Sequence, residues 1–271
     1  MADDRHHLNS LLMRESLVDK SVMRSTEGAF VRMLPDVHVV KLGGSSVMDR
    51  GRKVLMPLVE AIGSILPKER LILATGGGAR TRHVFSIGLD LGLPTGVLAE
   101  ISGADSLGNA HILGTLLAPH GCVAIPPEMF GHLLPLFITA ARGVIFNGVP
   151  PYKLWEHPPK IGRIPPHRTD AGCFFVAEAF GCKSLTLVKD VKGLFTADPK
   201  QDPSATFIPE IDTKTLREKN LPTLPFDEVL LDLLDSARLL ESFQLVSGED
   251  PSLLERAIAG EHVGTIVRRT R

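Results

Sequence analysis

From residue 37 onward the chain repeats one pattern: a short apolar run, a glycine turn, then an amphipathic stretch. Runs that are apolar on both faces must be covered from both sides. Their alternation with helical stretches therefore predicts a mainly parallel sheet between two helical layers. The predicted strands are 37–42, 71–75, 95–99, 122–125, 143–146, 185–189, 243–246 and 265–268. Between the first two, Val54, Leu58, Ile62 and Ile65 make one apolar stripe, a helix that closes a βαβ unit. Similar spacing predicts helices near 103–118, 170–180, 227–241 and 252–259. The expectation is an α/β three-layer αβα sandwich with roughly eight strands over residues 35–271. Residues 1–34 precede it as a polar arm, in which Leu8, Leu11, Leu12 and Leu17 can form one helical face.

Charge and composition narrow the function. The chain has 271 residues, with 30 Lys and Arg against 31 Asp and Glu, a net charge of -1. Such a balance supplies no broad positive field for a phosphate backbone, so no nucleic-acid partner is expected. Cys122, Cys173 and Cys182 make neither a paired framework nor a Cys-x-x-Cys ligand set, and read as small buried apolar residues in a reducing compartment. The first twenty residues lack a continuous apolar segment, and no apolar run approaches the roughly 18 residues that span a bilayer. The expected location is the cytoplasm, with no membrane partner.

Three segments carry chemistry. In VVKLGGSS at 39–46, a strand delivers Lys41 just before Gly43, Gly44, Ser45 and Ser46 turn the chain. Glycines let backbone N–H groups approach a polyanion, and Lys41 offers a point charge for a phosphate oxygen. The segment is not a Walker A loop, and a tight turn with a solvated lysine is the plain alternative. In LILATGGGARTRH at 71–83, the strand runs into Gly76, Gly77 and Gly78, with Arg80 and Arg82 in the first helical turn. A helix N-terminus and two arginines suit an anion. Gly76 and Gly78 begin a dinucleotide fingerprint, but Thr81 stands where its third glycine belongs. In RTDAGCFFVAEAFGCKSLTLVKDVKGLFTADP at 168–199, Thr169 and Asp170 cap a helix. A strand then brings Lys189 and Asp190 to its carboxyl end, where ligands of open α/β sheets bind, and Gly193, Phe195, Asp198 and Pro199 follow in a loop. Taken singly, Asp170 is equally a helix cap and Asp198-Pro199 a turn.

In this order, together with GEHVGTIV at 260–267, these segments resemble the amino acid kinase superfamily, and within it the uridylate kinases. The likeness covers about residues 35–269. GARTRHVFSIGLDLGLPTGVLA, GVPPYKLWEHPP, RIPPHRTDAGCFFVAEAFGCK and AGEHVGTIV are most similar to the molybdenum storage branch, uridylate-kinase-like subunits that store oxoanions. That branch has two related subunit types. Pro150 through Trp155 is similar to one type, and His83 through Leu93 to the other.

The resemblance implies a set of roles. Lys41, Gly43, Gly44, Ser45 and Lys189 would face ATP phosphates bridged by Mg²⁺, with Asp170 orienting the two lysines. Asp190, Gly193, Phe195, Asp198 and Pro199 match the nucleoside-side segment. Gly76, Gly77, Arg82, Asp105 and Thr169 match acceptor-nucleotide positions of a uridylate kinase. In a store, the ligand would be molybdate or tungstate, tetrahedral dianions that Arg, Lys and protonated His can hold. His111, Lys153, His157, His167 and Arg168 are the candidate lining of such a cavity. The implied function is a subunit that uses Mg-ATP hydrolysis to load oxoanions as polyoxometalate clusters into an oligomeric cage, the alternative being a UMP kinase. Assembly would be a homo-oligomer, a trimer of dimers, or a hetero-oligomer with a related subunit, and 85–118 is the expected interface.

Overall fold

A computed structural model describes residues 30–270, so the arm's Leu8–Leu17 face lies outside the described residues. Ten strands are present in chain order: β1 (Val37–Leu42), β2 (Arg70–Thr75), β3 (Cys122–Ala124), β4 (Gly143–Phe146), β5 (Ser184–Lys189), β6 (Leu194–Phe195), β7 (Phe207–Ile208), β8 (Glu210–Asp212), β9 (Ser242–Ser247) and β10 (Thr265–Arg268). The helices are α1 (Arg52–Ile65), α2 (Ala79–Asp90), α3 (Thr95–Leu117), α4 (Pro127–Ala140), α5 (Thr169–Ala179), α6 (Thr213–Lys219), α7 (Leu230–Ser236) and α8 (Ser252–Ile258).

Eight strands form one sheet in the order β3-β4-β2-β1-β5-β9-β10-β8. Strands β3, β4, β2, β1, β5 and β9 run parallel, whereas β10 is antiparallel to β9 and carries β8 beside it. Strands β6 and β7 form a separate hairpin pair. All six residues of β1 are buried, as a central strand covered on both faces requires. Its side chains alternate: Val37 and Val39 join a core with Ala171, Phe174 and Ala177 of α5, whereas Val40 and Leu42 join Leu58 and Ile62 of α1 and Leu113 of α3. The two cores are the interiors of the two helix–sheet layers, so the expected mainly parallel three-layer sandwich is the fold.

The predicted strand at 95–99 is instead the first turn of α3, a 23-residue helix. Its buried positions, including Thr95, Leu98, Ala99, Ser102, Ser106, Asn109, Leu113 and Leu117, recur every three or four residues. Much of that stripe is Ser, Thr, Gly and Asn, so apolar periodicity does not reveal it. The eighth strand is β8, three residues with an exposed Glu210 beside a proline-rich loop. Helix α4 was not anticipated, and the helix expected over 227–241 is confined to Leu230–Ser236, because the chain turns extended at Ala237. All three cysteines are buried and free. Among the described residues no helix is long and apolar enough to cross a membrane.

Candidate active site

Two periodicities bring the central charges together. Lys41 shares strand parity with Val37 and Val39, and Lys189 with Leu185 and Leu187, so both lysines point toward the layer that holds α5. The strands are neighbours, with Lys41 in register with Leu187. Both ammonium groups therefore emerge at the carboxyl edge of the sheet, over the first turn of α5. There Asp170 takes one on each oxygen: Lys41 Nζ lies 2.7 Å from Oδ1, and Lys189 Nζ donates to Oδ2 at 2.8 Å.

Asp170 was expected to cap α5. The helix instead starts at Thr169 with Arg168 as N-cap, and no side chain of its own caps it. A remote residue does so: Asp227 Oδ2 accepts from the backbone N–H of Asp170 at 3.2 Å and of Ala171 at 3.4 Å. The exchange is reciprocal, since the Asp227 N–H donates to Asp170 Oδ2 at 3.2 Å. Arg168 completes the group with a 2.8 Å ion pair to Asp227 Oδ1. Capping from Asp227 frees the Asp170 carboxylate for the lysines. Nothing in the local sequence announced Asp227, because its partner is 57 residues away.

The electrostatics follow from burial and sharing. Burial opposes charge on Asp170, but the Lys189 and Lys41 ammoniums outweigh it and hold its pKa well below the usual range. Burial also disfavours the Lys41 ammonium, yet Asp170 prevails and the pKa rises. Lys189 is as deeply buried and feels the charge of Lys41 besides, so its pKa is lowered. Burial and the Asp170 charge push Asp227 up. Three cationic side chains thus face two carboxylates, an excess of one positive charge when all are ionised.

The glycine turns form the opposite wall. A Cβ on Gly44 would lie 2.2 Å from the Gly78 nitrogen and 2.8 Å from the Gly76 carbonyl carbon, so the two turns pack backbone on backbone. Helix α3 supports them: Asn109 Nδ2 donates to the Gly76 carbonyl at 2.6 Å, and Thr75 Oγ1 to the Ser106 carbonyl at 2.8 Å. That is the work of the small polar stripe. The α2 N-terminus is less open to anions than expected, since Asp49 Oδ2 accepts the Ala79 N–H at 2.7 Å. Arg80 donates to Asn109, leaving Arg82 as the arginine of this turn that faces the cavity.

The cavity between these walls measures about 590 Å³. Lys41, Gly43, Gly44, Ser45, Gly76, Gly77, Arg82, Thr169, Asp170, Lys189 and Asp190 all line it, with His167 and Arg168. Phe85, Leu89, Val149, Ile164 and Pro165 add an apolar wall. Asp105 stands behind the turn, accepting from Thr81 Oγ1 at 3.2 Å. Gly193, Phe195, Asp198 and Pro199 line a second cavity of about 260 Å³, which shares Asp190, Leu224 and Pro225 with the first. At their junction Asp190 pairs with Lys200. His111 is exposed on α3 and outside both linings, His157 is also outside them, and Lys153 is turned to Glu100 at 3.6 Å.

The chain is similar in sequence and fold to several known proteins. The chain is 45% identical over 268 residues to the molybdenum storage protein subunit beta of Azotobacter vinelandii, covering 98% of this chain and 99% of the relative. It is 28% identical over 239 residues to the uridylate kinase of Metallosphaera sedula, covering 84% and 97% of the two chains. The fold matches the crystal structure of uridylate kinase from Archaeoglobus fulgidus with a TM-score of 0.67 at 22% identity, covering 85% of this chain and 99% of that one. The model of the amino acid kinase family matches residues 36–240, which spans the glycine turns, the lysine–aspartate cluster and Asp227, and the chain belongs to that family.

Proposed function

We propose that this chain is a subunit of an oxoanion store, which binds Mg-ATP and uses its hydrolysis to load molybdate or tungstate into a cage made by several subunits. The observation that carries this reading is the 45% identity, end to end, to a subunit named for molybdenum storage. The geometry supports nucleotide chemistry at the shared cavity. The ammoniums of Lys41 and Lys189 are held 2.7 and 2.8 Å from one carboxylate, so both can offset charge on a transferred γ-phosphoryl group without either drifting away. Gly43 and Gly44 present backbone to the phosphates. The smaller cavity, with Gly193, Phe195, Asp198 and Pro199, takes the nucleoside. The donor set suits a metal carried in on the nucleotide rather than one held by the protein alone, because all three carboxylates of the cavity lining, Asp170, Asp190 and Asp227, are already paired with cationic side chains. Mg²⁺, when bound, supplies Lewis-acid charge to the phosphate oxygens. Arg82 and Arg168 supply positive charge for the oxoanion at the far end.

The grouping of Gly77, Arg82 and Thr169 along that far end, with Asp105 behind them, favours a second reading, phosphoryl transfer to UMP. One experiment separates the two. The purified chain is incubated with molybdate, with and without Mg-ATP, desalted and assayed for molybdenum by elemental mass spectrometry, and in parallel for UDP formation from UMP. Many molybdenum atoms per chain, retained only after ATP treatment and with no UDP formed, is the expected outcome. UDP formation without retained metal would replace the store with a kinase. Neither product would leave the chain dependent on a related partner subunit, with which the assay is repeated. The cytoplasm is the proposed site of action, and oligomeric assembly is part of the proposal.

A further inference from the structure

Glu156, His157 and His167 come together beside the central cavity, each offering a ligating atom within 4.8 Å of the other two. We propose that this cluster binds a divalent transition-metal ion of the zinc class, through Nε2 of His157 and His167, with Glu156 orienting His167 and balancing the charge.

The hydrogen bonds determine which nitrogen is free. The Glu156 carboxylate, 2.9 Å from His167 Nδ1, accepts, so that nitrogen carries a hydrogen, and in the neutral imidazole that binds a metal Nε2 keeps its lone pair. The Pro158 carbonyl, 3.1 Å from His157 Nδ1, can likewise only accept, which leaves the second Nε2 free. A ring nitrogen held through its N–H by oxygen, with the opposite nitrogen available, is the usual arrangement of metal-ligating histidines. The ring centroids are 5.3 Å apart, close enough for both to reach one ion. Phe175 and Tyr152 pack against His167 at 5.5 and 6.2 Å and hold that ring in place.

Charge selects a cation over an oxoanion. The Glu156 side chain is only 2% exposed, and His167 is its polar partner there. A buried carboxylate is stabilised by nearby positive charge and repels a dianion. Two imidazoles favour zinc-like ions over Mg²⁺ or Ca²⁺, which take oxygen donors. His157 is exposed, so an ion has access and its remaining positions stay open to water. His157 and His167 thereby move from the expected oxoanion lining to a cation site. Because His167 also lines the central cavity, the ion would add positive charge at its rim, a consequence that rests on the storage reading, whereas binding itself does not.

The test titrates chelator-stripped, full-length protein with ZnCl₂ alone, without nucleotide or molybdate, by calorimetry, and records the visible spectrum after Co²⁺ substitution. The expected result is one tight site per chain and a low-symmetry cobalt spectrum. His157→Ala, at an exposed position, and His167→Ala should each abolish the site. Glu156→Gln should weaken it by about 10–100-fold, as loss of a supporting contact does. His111→Ala, at an exposed histidine elsewhere, should change nothing. Zinc affinity in His157→Ala equal to the parent, or a cobalt spectrum of the hydrated ion in the parent, would overturn the proposal.

Discussion

Asp170 is the residue on which the site turns, because it is the carboxylate both buried lysines touch. Asp170→Asn keeps the shape and removes the charge, leaving two buried ammonium groups without the carboxylate that touches both. The expected cost is about 3–5 kcal/mol, read from denaturant unfolding. Its pH dependence has a definite sign. The folded pKa lies below the unfolded one, so the stabilisation is complete above about pH 4, the ordinary carboxylate value, and fades as the pH falls toward the folded pKa. Asp227 is shifted upward and opposes this in part. Acid unfolding of the parent should thus lose more stability below that pH than Asp170→Asn does, and equal slopes would refute the pairing. Lys189 gives a second readout: its pKa is lowered, so ATP hydrolysis that needs the ammonium should fall before the usual lysine range as pH rises. Lys189→Arg stays charged, and whatever activity it retains should persist to higher pH in a pH–rate profile.

At the level of elements, backbone proximity separates one glycine from another. Gly44→Ala would drive a methyl into the Gly76–Gly78 backbone, which has no side chain to swing aside. A loss of about 1–3 kcal/mol is expected, as for overpacking elsewhere, together with weakened ATP binding. Gly108, in the interior of α3, has only Arg80 Nη1 at 4.0 Å from a built Cβ. Gly108→Ala should therefore stabilise the protein by roughly 0.5–1 kcal/mol through helix propensity. Thermal melts of the two variants check both signs. The start of α3 shows why short apolar runs mislead: Thr95, Gly96, Val97, Leu98 and Ala99 satisfy a strand pattern, and only the polar residues farther on complete the helical stripe. Strand β8 fails in the opposite sense, since its three residues carry two charges and pair only at the sheet edge.

For the whole molecule, a ligand that binds only the folded state must raise the melting temperature. ATP at 100 times its dissociation constant contributes about 2.7 kcal/mol, or roughly 5 °C for a chain of this size. Differential scanning fluorimetry should show that shift in the parent and its loss in Lys41→Ala. An unchanged melting temperature with saturating Mg-ATP would count against the nucleotide site itself, independently of any metal retained. The two cavities meet at Asp190, where β5 has just ended, so both lie along one sheet edge. That placement follows from the parallel sheet, whose central strands release their loops on the same side.

The sequence alone determined the central strands, the glycine turns and the two lysines, because each depends on neighbours within a few residues. Which face the lysines share was settled by the structure, where a period of two along β1 and β5 puts Lys41 and Lys189 on the side of Val39 and Leu187. Tertiary structure decided the rest. Asp227 caps α5 across 57 residues, Asn109 supports a turn 33 residues away, and Glu156 meets His167 only because the proline-rich loop folds back. These are contacts between polar groups far apart in the chain, and a pattern of hydrophobicity carries no record of which buried polar group will satisfy which.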